Sequence, residues 1–313
     1  MVMKSKKVRL EPTQEQEQFF WRFSRVNRMT WNACKAKFDE VYKTEKKYLS
    51  LKELREYIRD LRNNDPKFSD FQGVPVAVTS QSIKDLLDTY KRFYSARKKK
   101  GYDPEKSNKF KPKFKKYNKT TPSFYQRIDG IHKTDDTHIK LTGIKTPVKC
   151  TALRNVDLPD KIQNPRITYD GKYWYLSYSF EAEPQTETSQ SSEETLGIDV
   201  GVKDLAVLSN GKHYSNINQE TKIGKLNKRL KRLQRQVSRK YEKNATYDSQ
   251  GRKIYHKTNN IKKLERRIKL LKRRIHNIQQ NYIYEVINDI LAIHPKTIVV
   301  ENLNLRGMLK IGI

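Results

Sequence analysis

Two short apolar stretches each carry one acidic residue: residues 196–201 have the sequence LGIDVG, and residues 297–303 have the sequence TIVVENL. The first stretch favours a strand that contains Asp199. The second is a continuous apolar run that ends at Glu301, a pattern typical of a buried strand in a parallel sheet. We therefore predict two strands, the second buried and parallel, that each carry a carboxylate.

The sequence between these stretches predicts how the two strands are connected. Residues 205–209 and 212–215 favour two further strands joined by an Asn-Gly turn, which makes a three-stranded meander with the first stretch. Apolar residues then recur at heptad spacing in two runs, which predicts an antiparallel helical hairpin over about residues 222–292. A meander, a helical crossover and a parallel return strand are the front of an RNase H-like fold.

This topology predicts that Asp199 and Glu301 converge at adjacent strand ends. We expect both carboxylates to be buried, and two buried carboxylates repel one another unless a cation lies between them. Oxygen ligands favour Mg²⁺ or Mn²⁺, and such ions support phosphodiester cleavage. We therefore predict Asp199 and Glu301 as catalytic and metal-ligating residues; the alternative is that each is an ordinary turn or cap residue. The six histidines show no ligand spacing, and we expect no zinc.

The charge of the chain indicates its partner. The 313 residues carry a net charge of +31, with an excess of 17 positive charges in residues 1–183 and of 14 in residues 184–313. Since both halves are cationic, a basic tail on a neutral enzyme is excluded. Such a charge repels itself unless a polyanion neutralises it, so we expect a nucleic acid as partner.

Three segments concentrate this charge. Residues 97–119 hold 11 basic side chains, two acidic ones and four aromatic rings, a mixture that suits phosphate contact with base stacking. Residues 222–243 hold ten basic side chains and one acidic, and residues 257–274 hold nine and one. The alternative for each segment is a solvated surface. The predicted nucleic-acid-binding residues are Lys98, Lys99, Lys100, Lys111, Lys113, Phe114, Lys115, Lys116, Tyr117, Lys228, Arg229, Lys231, Arg232, Arg235, Arg239, Lys262, Lys263, Arg266, Arg267, Arg273 and Arg274.

The N-terminal half is predicted as an α+β lobe. A strand at residues 6–11 precedes three helices, two of which begin with capping boxes, Thr13 with Gln16 and Ser50 with Glu53. Strand patterns follow over residues 123–183, with a hairpin at Asp170-Gly171. We expect an antiparallel sheet or small β-barrel with a helical insertion at about residues 13–98 and a helix-turn-helix-like N-terminus.

The domain boundary is predicted at a polar segment rich in serine and threonine, residues 184–195, which separates a first domain (1–183) from an α/β domain (196–313). The chain shows no run apolar enough for a signal peptide or a membrane span, so we expect a cytoplasmic protein without a membrane partner. Cys34 and Cys150 are far apart and are expected to be small core residues.

Several motifs resemble one family. Residues 196–206 and 298–308 look like the first two RuvC motifs of the TnpB family, the OrfB proteins of insertion sequences. The basic segment 226–240, the N-terminal residues 9–16 and residues 111–115 resemble the same family, so the resemblance extends over nearly the whole chain.

The resemblance implies an RNA-guided DNA endonuclease related to type V CRISPR effectors. Such a protein binds a guide RNA from the transposon end, and base pairing reads a double-stranded DNA target. The resemblance implies a wedge-type β-barrel with an inserted helical recognition lobe for residues 1–183, and it matches Asp199 and Glu301 to the first two catalytic carboxylates. It also implies a functional link to a transposase of the same element.

This sequence departs from the family pattern after Glu301. The family continues through a four-cysteine zinc module and a third motif with an aspartate, and neither is present here. We therefore expect a truncated RuvC domain with an exposed apolar sheet face and impaired or absent cleavage. Two alternatives remain open: a non-cutting RNA-guided DNA-binding repressor or competitor for guide RNA, and a DNA-binding accessory protein of transposition.

Overall fold

A computed structural model describes residues 1–98, 111–117, 119–155, 158–159, 161–183 and 192–301. The chain divides into two compact units, Met1–Pro184 and Gln185–Ile313. Two predicted binding residues, Lys99 and Lys100, lie outside the described residues. Within the described ranges, no helix is both long enough and apolar enough to span a bilayer.

The first unit opens with a strand and three helices. Strand β1 (Val2–Leu10) is followed by α1 (Gln14–Glu45), α2 (Leu51–Asn64) and α3 (Val76–Lys98). Both predicted capping boxes are confirmed. At each, the hydroxyl of the cap residue accepts a hydrogen bond from the backbone N–H three residues later, whose side chain accepts from the cap backbone in return.

Six further strands of the first unit form two antiparallel sheets together with β1. They are β2 (Ser123–Tyr125), β3 (His132–Asp135), β4 (His138–Lys140), β5 (Val148–Lys149), β6 (Ile162–Tyr169) and β7 (Trp174–Ala182). One sheet has the order β1-β7-β6-β2 and the other β3-β4-β5. The predicted hairpin is confirmed: Tyr169 pairs with Trp174, and Gly171 takes a φ of +105°, which favours glycine.

The predicted closed barrel is wrong. Strands β1 and β2 are the two edges of the four-stranded sheet, and no ladder joins them within the described ranges. A single bridge between Glu11 and Lys149 connects the two sheets. The strands of the second sheet are only two to four residues long, because tight turns and a 3₁₀ segment at Thr151–Arg154 interrupt the predicted strand runs. Such short strands offer few ladder bonds with which to close a barrel.

The helices pack on the four-stranded sheet through aromatic rings. The ring centroids of Phe20 and Trp174 are 5.2 Å apart, and those of Phe23 and Phe124 are 5.5 Å apart. Cys34 and Cys150 are buried and free, as the sequence predicts for core residues. Burial raises the pKa of the Cys34 thiol to about 12. Because α1–α3 lie between β1 and β2 in the chain, they form an insertion within the sheet.

The second unit is an α/β unit with one mixed sheet. Its elements are β8 (Ser192–Asp199), β9 (Asp204–Leu208), β10 (His213–Ser215), α4 (Thr221–Lys243), β11 (Ala245–Tyr247), β12 (Lys253–Tyr255), α5 (Asn259–Leu291) and β13 (Pro295–Val300). The sheet order is β10-β9-β8-β13, with β13 parallel to β8 and the other pairs antiparallel. The predicted meander and parallel return strand are confirmed.

Two sequence predictions for this sheet need correction. The first concerns the predicted linker 184–195, of which residues 184–191 lie outside the described ranges. Residues 192–195 are not a linker but the start of β8, because Ser192 pairs with Pro295. The prediction that β13 is buried is wrong. Ile298, Val299 and Val300 are 40%, 54% and 53% exposed, because β13 is an edge strand of the described sheet.

The long helices form the predicted antiparallel hairpin. Ile223 of α4 packs against Leu271 and Ile275 of α5. The C-terminal part of α5 instead packs Val286 and Ile290 against the meander. Helix α5 therefore joins the basic hairpin to the sheet in one rigid element. The polar segment between the helices contains the two-stranded β11–β12 ribbon, which the sequence analysis did not predict.

Candidate nuclease site and nucleic-acid interface

The two predicted carboxylates are brought together by the parallel ladder. Asp199 is the last residue of β8, and Glu301 directly follows β13. Val300 pairs with Ile198, so the next residue on each strand, Glu301 and Asp199, lies at the same level of the sheet. Adjacent strands are about 4.8 Å apart, which places these residues side by side.

Both carboxylates are exposed rather than buried as predicted. The reason is their position at strand ends, since Asp199 is the last residue of β8 and Glu301 directly follows β13. Exposure also means that a bulky substrate, such as a nucleic-acid backbone, can approach Asp199 and Glu301 from solvent.

The backbone around Asp199 is tightly held. A Cβ atom on Gly201 would lie 3.1 Å from the carbonyl oxygen of Asp204, so a side chain at this position would crowd the turn. The side-chain amide of Asn216 donates a hydrogen bond to the carbonyl of Val202 at 2.8 Å. The turn that follows Asp199 is therefore closely packed at Gly201 and hydrogen-bonded at Val202.

The donor set fits a hard divalent cation in type. Two adjacent carboxylates supply oxygen ligands, and Mg²⁺ commonly uses one or two carboxylates while it keeps several waters. Within the described part of the chain, no group of three or more His, Cys, Asp or Glu side chains could hold a metal ion. Any ion at Asp199 and Glu301 would therefore take its remaining ligands from water or from a bound phosphate.

The helical hairpin presents cations that the fold does not neutralise. Its acidic residues are already engaged: Glu242 accepts from Lys253 and Tyr255, and Glu265 accepts from Lys257 and Tyr241. The predicted binding residues of the hairpin that are exposed are Lys228, Arg229, Lys231, Arg232, Arg235, Arg239, Lys262, Lys263, Arg266, Arg267 and Arg274. Arg273 is only half-buried rather than fully exposed. None of the six on α4 has an acidic partner among the described residues.

The basic segment 111–117 runs along α1. The Trp31 indole N–H donates to the carbonyl of Lys113 at 3.0 Å, and the side chain of Asn32 exchanges two hydrogen bonds with the backbone of Lys115 at 3.0 and 2.8 Å. These contacts hold an irregular segment against a helix. The predicted lysines Lys98, Lys111, Lys113 and Lys116 are exposed.

The aromatic rings of this segment are also accessible. Phe114 is 52% and Tyr117 is 73% exposed. The Lys35 ammonium lies 4.3 Å from the Phe114 ring centroid, and Arg28 lies 5.5 Å from that of Tyr117. Exposed rings beside cations are the combination that binds single strands. Lys35 is buried and forms an ion pair with Asp39, so it is not available to a phosphate. The half-buried Arg28 is a candidate that the sequence did not indicate, because nothing local connects α1 to residues 111–117.

Lys115 differs from its neighbours because it is half-buried. Its ammonium lies 3.8 Å from the Trp31 ring centroid. Burial lowers the pKa of Lys115 to about 8. This lysine can therefore change its charge within an ordinary pH range.

Two family models match the chain. OrfB_IS605, described as "Probable transposase", matches residues 177–312, and HTH_OrfB_IS605, described as "Helix-turn-helix domain", matches residues 1–47. In the structure, residues 1–47 contain β1 and the single helix α1. The first match includes both Asp199 and Glu301.

Individual proteins are similar over most of the chain. An Escherichia coli (strain K12) protein named "Putative RNA-guided DNA endonuclease InsQ" is 27% identical over 305 residues, which cover 97% of this chain and 67% of InsQ. A chain in a cryo-EM structure of a Cas12f1–sgRNA–target DNA complex matches with a TM-score of 0.31 and 14% identity, covering 99% of this chain and 76% of that one. The two family models and InsQ confirm the resemblance to the OrfB (TnpB) family that the motifs in the sequence indicate.

Proposed function

We propose that this protein is an RNA-guided DNA-binding protein with a metal-dependent DNA endonuclease site at Asp199 and Glu301. The observation that carries the proposal is the register of β8 and β13, which brings the two carboxylates to one sheet end. The name of the relative InsQ supports the activity.

In this proposal, Asp199 and Glu301 would hold Mg²⁺ or Mn²⁺ through their carboxylate oxygens. The ion would polarise a phosphodiester and lower the pKa of a bound water. The ladder supplies the position of both carboxylates, and the turn that follows Asp199 is closely packed at Gly201. Their exposure would admit a DNA backbone.

The cationic surfaces would hold nucleic acid by its phosphates. The hairpin α4–α5 and segment 111–117 offer exposed cations, and the latter adds exposed rings. Phosphate contacts give affinity without sequence information. Sequence would then be read by base pairing between a guide RNA from the transposon end and one strand of a DNA duplex. A link to a transposase of the same element belongs to the same proposal.

The metal site can be tested with Asp199→Ala and Glu301→Ala. The control is Glu285→Ala, which removes an exposed acid from α5 of the same unit. Mn²⁺ binding is measured by electron paramagnetic resonance, DNA cleavage on a plasmid with Mg²⁺, and RNA binding by gel shift. Both site variants are expected to lose Mn²⁺ binding and any cleavage while RNA binding persists, because the phosphate contacts lie elsewhere.

Two results would reject this assignment. One is Mn²⁺ affinity that is the same in Asp199→Ala, Glu301→Ala and the unaltered chain. The other is cleavage at the unaltered rate in Asp199→Ala. Metal and RNA binding without cleavage by the unaltered chain would reject the endonuclease activity and leave RNA-guided binding in place.

A further inference from the structure

A cleft lined by tyrosines lies at one end of the helical insertion. The C-terminal part of α1 supplies Tyr42, the loop before α2 supplies Tyr48, and the C-terminal half of α3 supplies Tyr90 and Tyr94. The open volume is about 640 Å³. Ligand pockets typically measure about 300–1,000 Å³, so the cleft has room for one planar heterocycle.

The rings form one connected aromatic wall. Tyr42, Tyr48 and Tyr94 contact one another, with centroid distances of 5.2–5.9 Å. Tyr94 also stacks on Tyr90 at 6.1 Å, and Tyr90 stacks on Phe38 at 4.0 Å. The wall extends from the hydrophobic core to the surface. Phe38 and Tyr90 are buried at its inner end, and Tyr48 is 54% exposed at its outer end. The exposed Tyr48 ring contacts the rings of Phe38, Tyr42 and Tyr94, and these contacts hold it as a stacking surface.

The hydroxyl groups keep this wall uncharged. Burial raises the pKa of Tyr94 to about 12, and a hydrogen bond with Tyr42 raises that of Tyr48. The tyrosines themselves therefore carry no negative charge that would repel a phosphate. The Asp39 carboxylate accepts a hydrogen bond from the Tyr90 hydroxyl and is paired with Lys35. Lys91 and Lys98 line the same cleft with exposed side chains. The cleft thus combines aromatic faces with cations at its edge.

We propose that this tyrosine cleft binds an unpaired nucleobase of a nucleic-acid strand, with the flanking phosphates at Lys91 and Lys98. Base stacking on aromatic side chains needs a free base face, which a strand offers where it is unpaired. The net charge of +31 favours a polyanionic ligand over an apolar peptide. The inference rests on the proposed function for the presence of nucleic acid, and it adds a site that positions one base.

The test uses the full chain, stripped of nucleic acid at high salt. The probes are a single-stranded RNA oligonucleotide with 2-aminopurine at successive positions, the DNA oligonucleotide of the same sequence, and the corresponding duplex. Fluorescence quenching reports stacking, and titration gives affinity. The variants are Tyr48→Leu, which keeps apolar volume without an aromatic face, and Tyr48→Phe, which keeps the ring. The matched control is Tyr284→Leu, at a ring that is 62% exposed on α5.

The unaltered chain is expected to quench 2-aminopurine in a single strand and not in the duplex. Tyr48→Leu should abolish the quenching and weaken single-strand binding about tenfold, the size expected when one stacked base is lost. Tyr48→Phe and Tyr284→Leu should behave as the unaltered chain. A preference for the RNA probe would assign the base to the guide, and a preference for the DNA probe would assign it to an unpaired target strand.

Unchanged quenching and affinity in Tyr48→Leu, with its melting temperature retained, would overturn the cleft proposal alone. If Tyr48→Leu fails to fold, a triple variant with Tyr94→Phe, Lys91→Glu and Lys98→Glu replaces it. Quenching by this triple variant that equals the quenching by the unaltered chain would overturn the cleft proposal. Failure of the unaltered chain to bind any of the three probes would instead contradict the proposed function.

Discussion

At the scale of single residues, Lys115 shows how the fold changes the acidity of a side chain. In the sequence, Lys115 is one of several lysines in a basic segment and nothing distinguishes it from them. Its backbone is fixed by Asn32, and its ammonium is held over Trp31. The resulting burial lowers its pKa to about 8 from 10.5. Lys115 is therefore mostly charged at neutral pH and largely neutral at pH 9.

This pKa predicts a dependence of stability on pH. The folded state loses the Lys115 proton near pH 8, and the unfolded chain retains it up to about pH 10.5. The unfolded state therefore binds more protons between these values, and the Lys115 contribution to the free energy of unfolding rises with pH in that window. Carbon-detected NMR of lysine side chains should give a midpoint near 8, and Trp31→Ala should move it towards 10.5. A midpoint near 10.5 in the unaltered chain would contradict the account.

A second residue-scale prediction concerns the ion pair between α3 and β6. Arg166 donates two hydrogen bonds to Asp85, at 2.7 and 2.8 Å, and the side chains are only 28% and 24% exposed. Asp85→Ala leaves the guanidinium without its partner and should lower the free energy of unfolding by about 1–3 kcal/mol in a urea titration.

The control for this pair is Glu40→Ala, which breaks the exposed pair of Lys37 and Glu40. Exposed pairs contribute less than about 1 kcal/mol, so this change should be near zero. Equal losses in the two variants would show that the partly buried pair has no special role.

At the scale of elements, the sequence predicts what local periodicity and capping determine. The helices α1, α2, α4 and α5 follow from their apolar spacing, and the capping boxes set the first turns of α1 and α2. The parallel return of β13 follows from chain topology. These features depend on neighbours in the sequence or on a crossover with one favoured arrangement.

The features that the sequence did not predict depend on the detail of individual turns or on contacts far apart in the chain. Whether the barrel closes depends on the lengths of β2–β5. Each of these strands ends where a turn interrupts it, and the apolar pattern does not predict the position of each turn. The β11–β12 ribbon is polar and short, and its turn relies on Asp248, which accepts hydrogen bonds from the backbone of Gln250 and Arg252. The tyrosine cleft draws its rings from three elements that no single motif connects.

The hairpin surface gives the element-scale prediction. Replacing Arg232, Arg235 and Arg239 of α4 with alanine should weaken RNA binding and reduce the slope of log affinity against log salt by up to about 2–3, since each phosphate contact contributes about 0.7–0.9. Filter binding at several salt concentrations measures both quantities.

The matched control removes the same charge elsewhere, at the exposed lysines Lys145, Lys149 and Lys161. This triple variant should lose less affinity. An equal loss in the two triple variants would mean that binding follows total charge, and the hairpin would not be a dedicated surface.

At the scale of the whole molecule, the charge of +31 is shared by both units rather than by one tail. A protein with this distribution can hold a long polyanion over an extended path. We predict that the chain purifies with nucleic acid bound at low salt and releases it steeply as salt rises. The ratio of absorbance at 260 and 280 nm, before and after nuclease treatment, measures this. A preparation free of nucleic acid at low salt would contradict the prediction.

The central claim is that RNA directs this protein to DNA, and sequence-dependent DNA binding tests it most directly. The RNA bound to the purified chain is sequenced, and a DNA duplex that matches its guide portion is compared with a scrambled duplex of the same composition. Gel shifts are run with the RNA-loaded chain and with the chain stripped of RNA. If RNA guides binding, the loaded chain should retain the matched duplex more tightly than the scrambled one. This preference should disappear when RNA is removed. Equal retention of both duplexes by the loaded chain, or a preference that survives removal of RNA, would contradict the central claim.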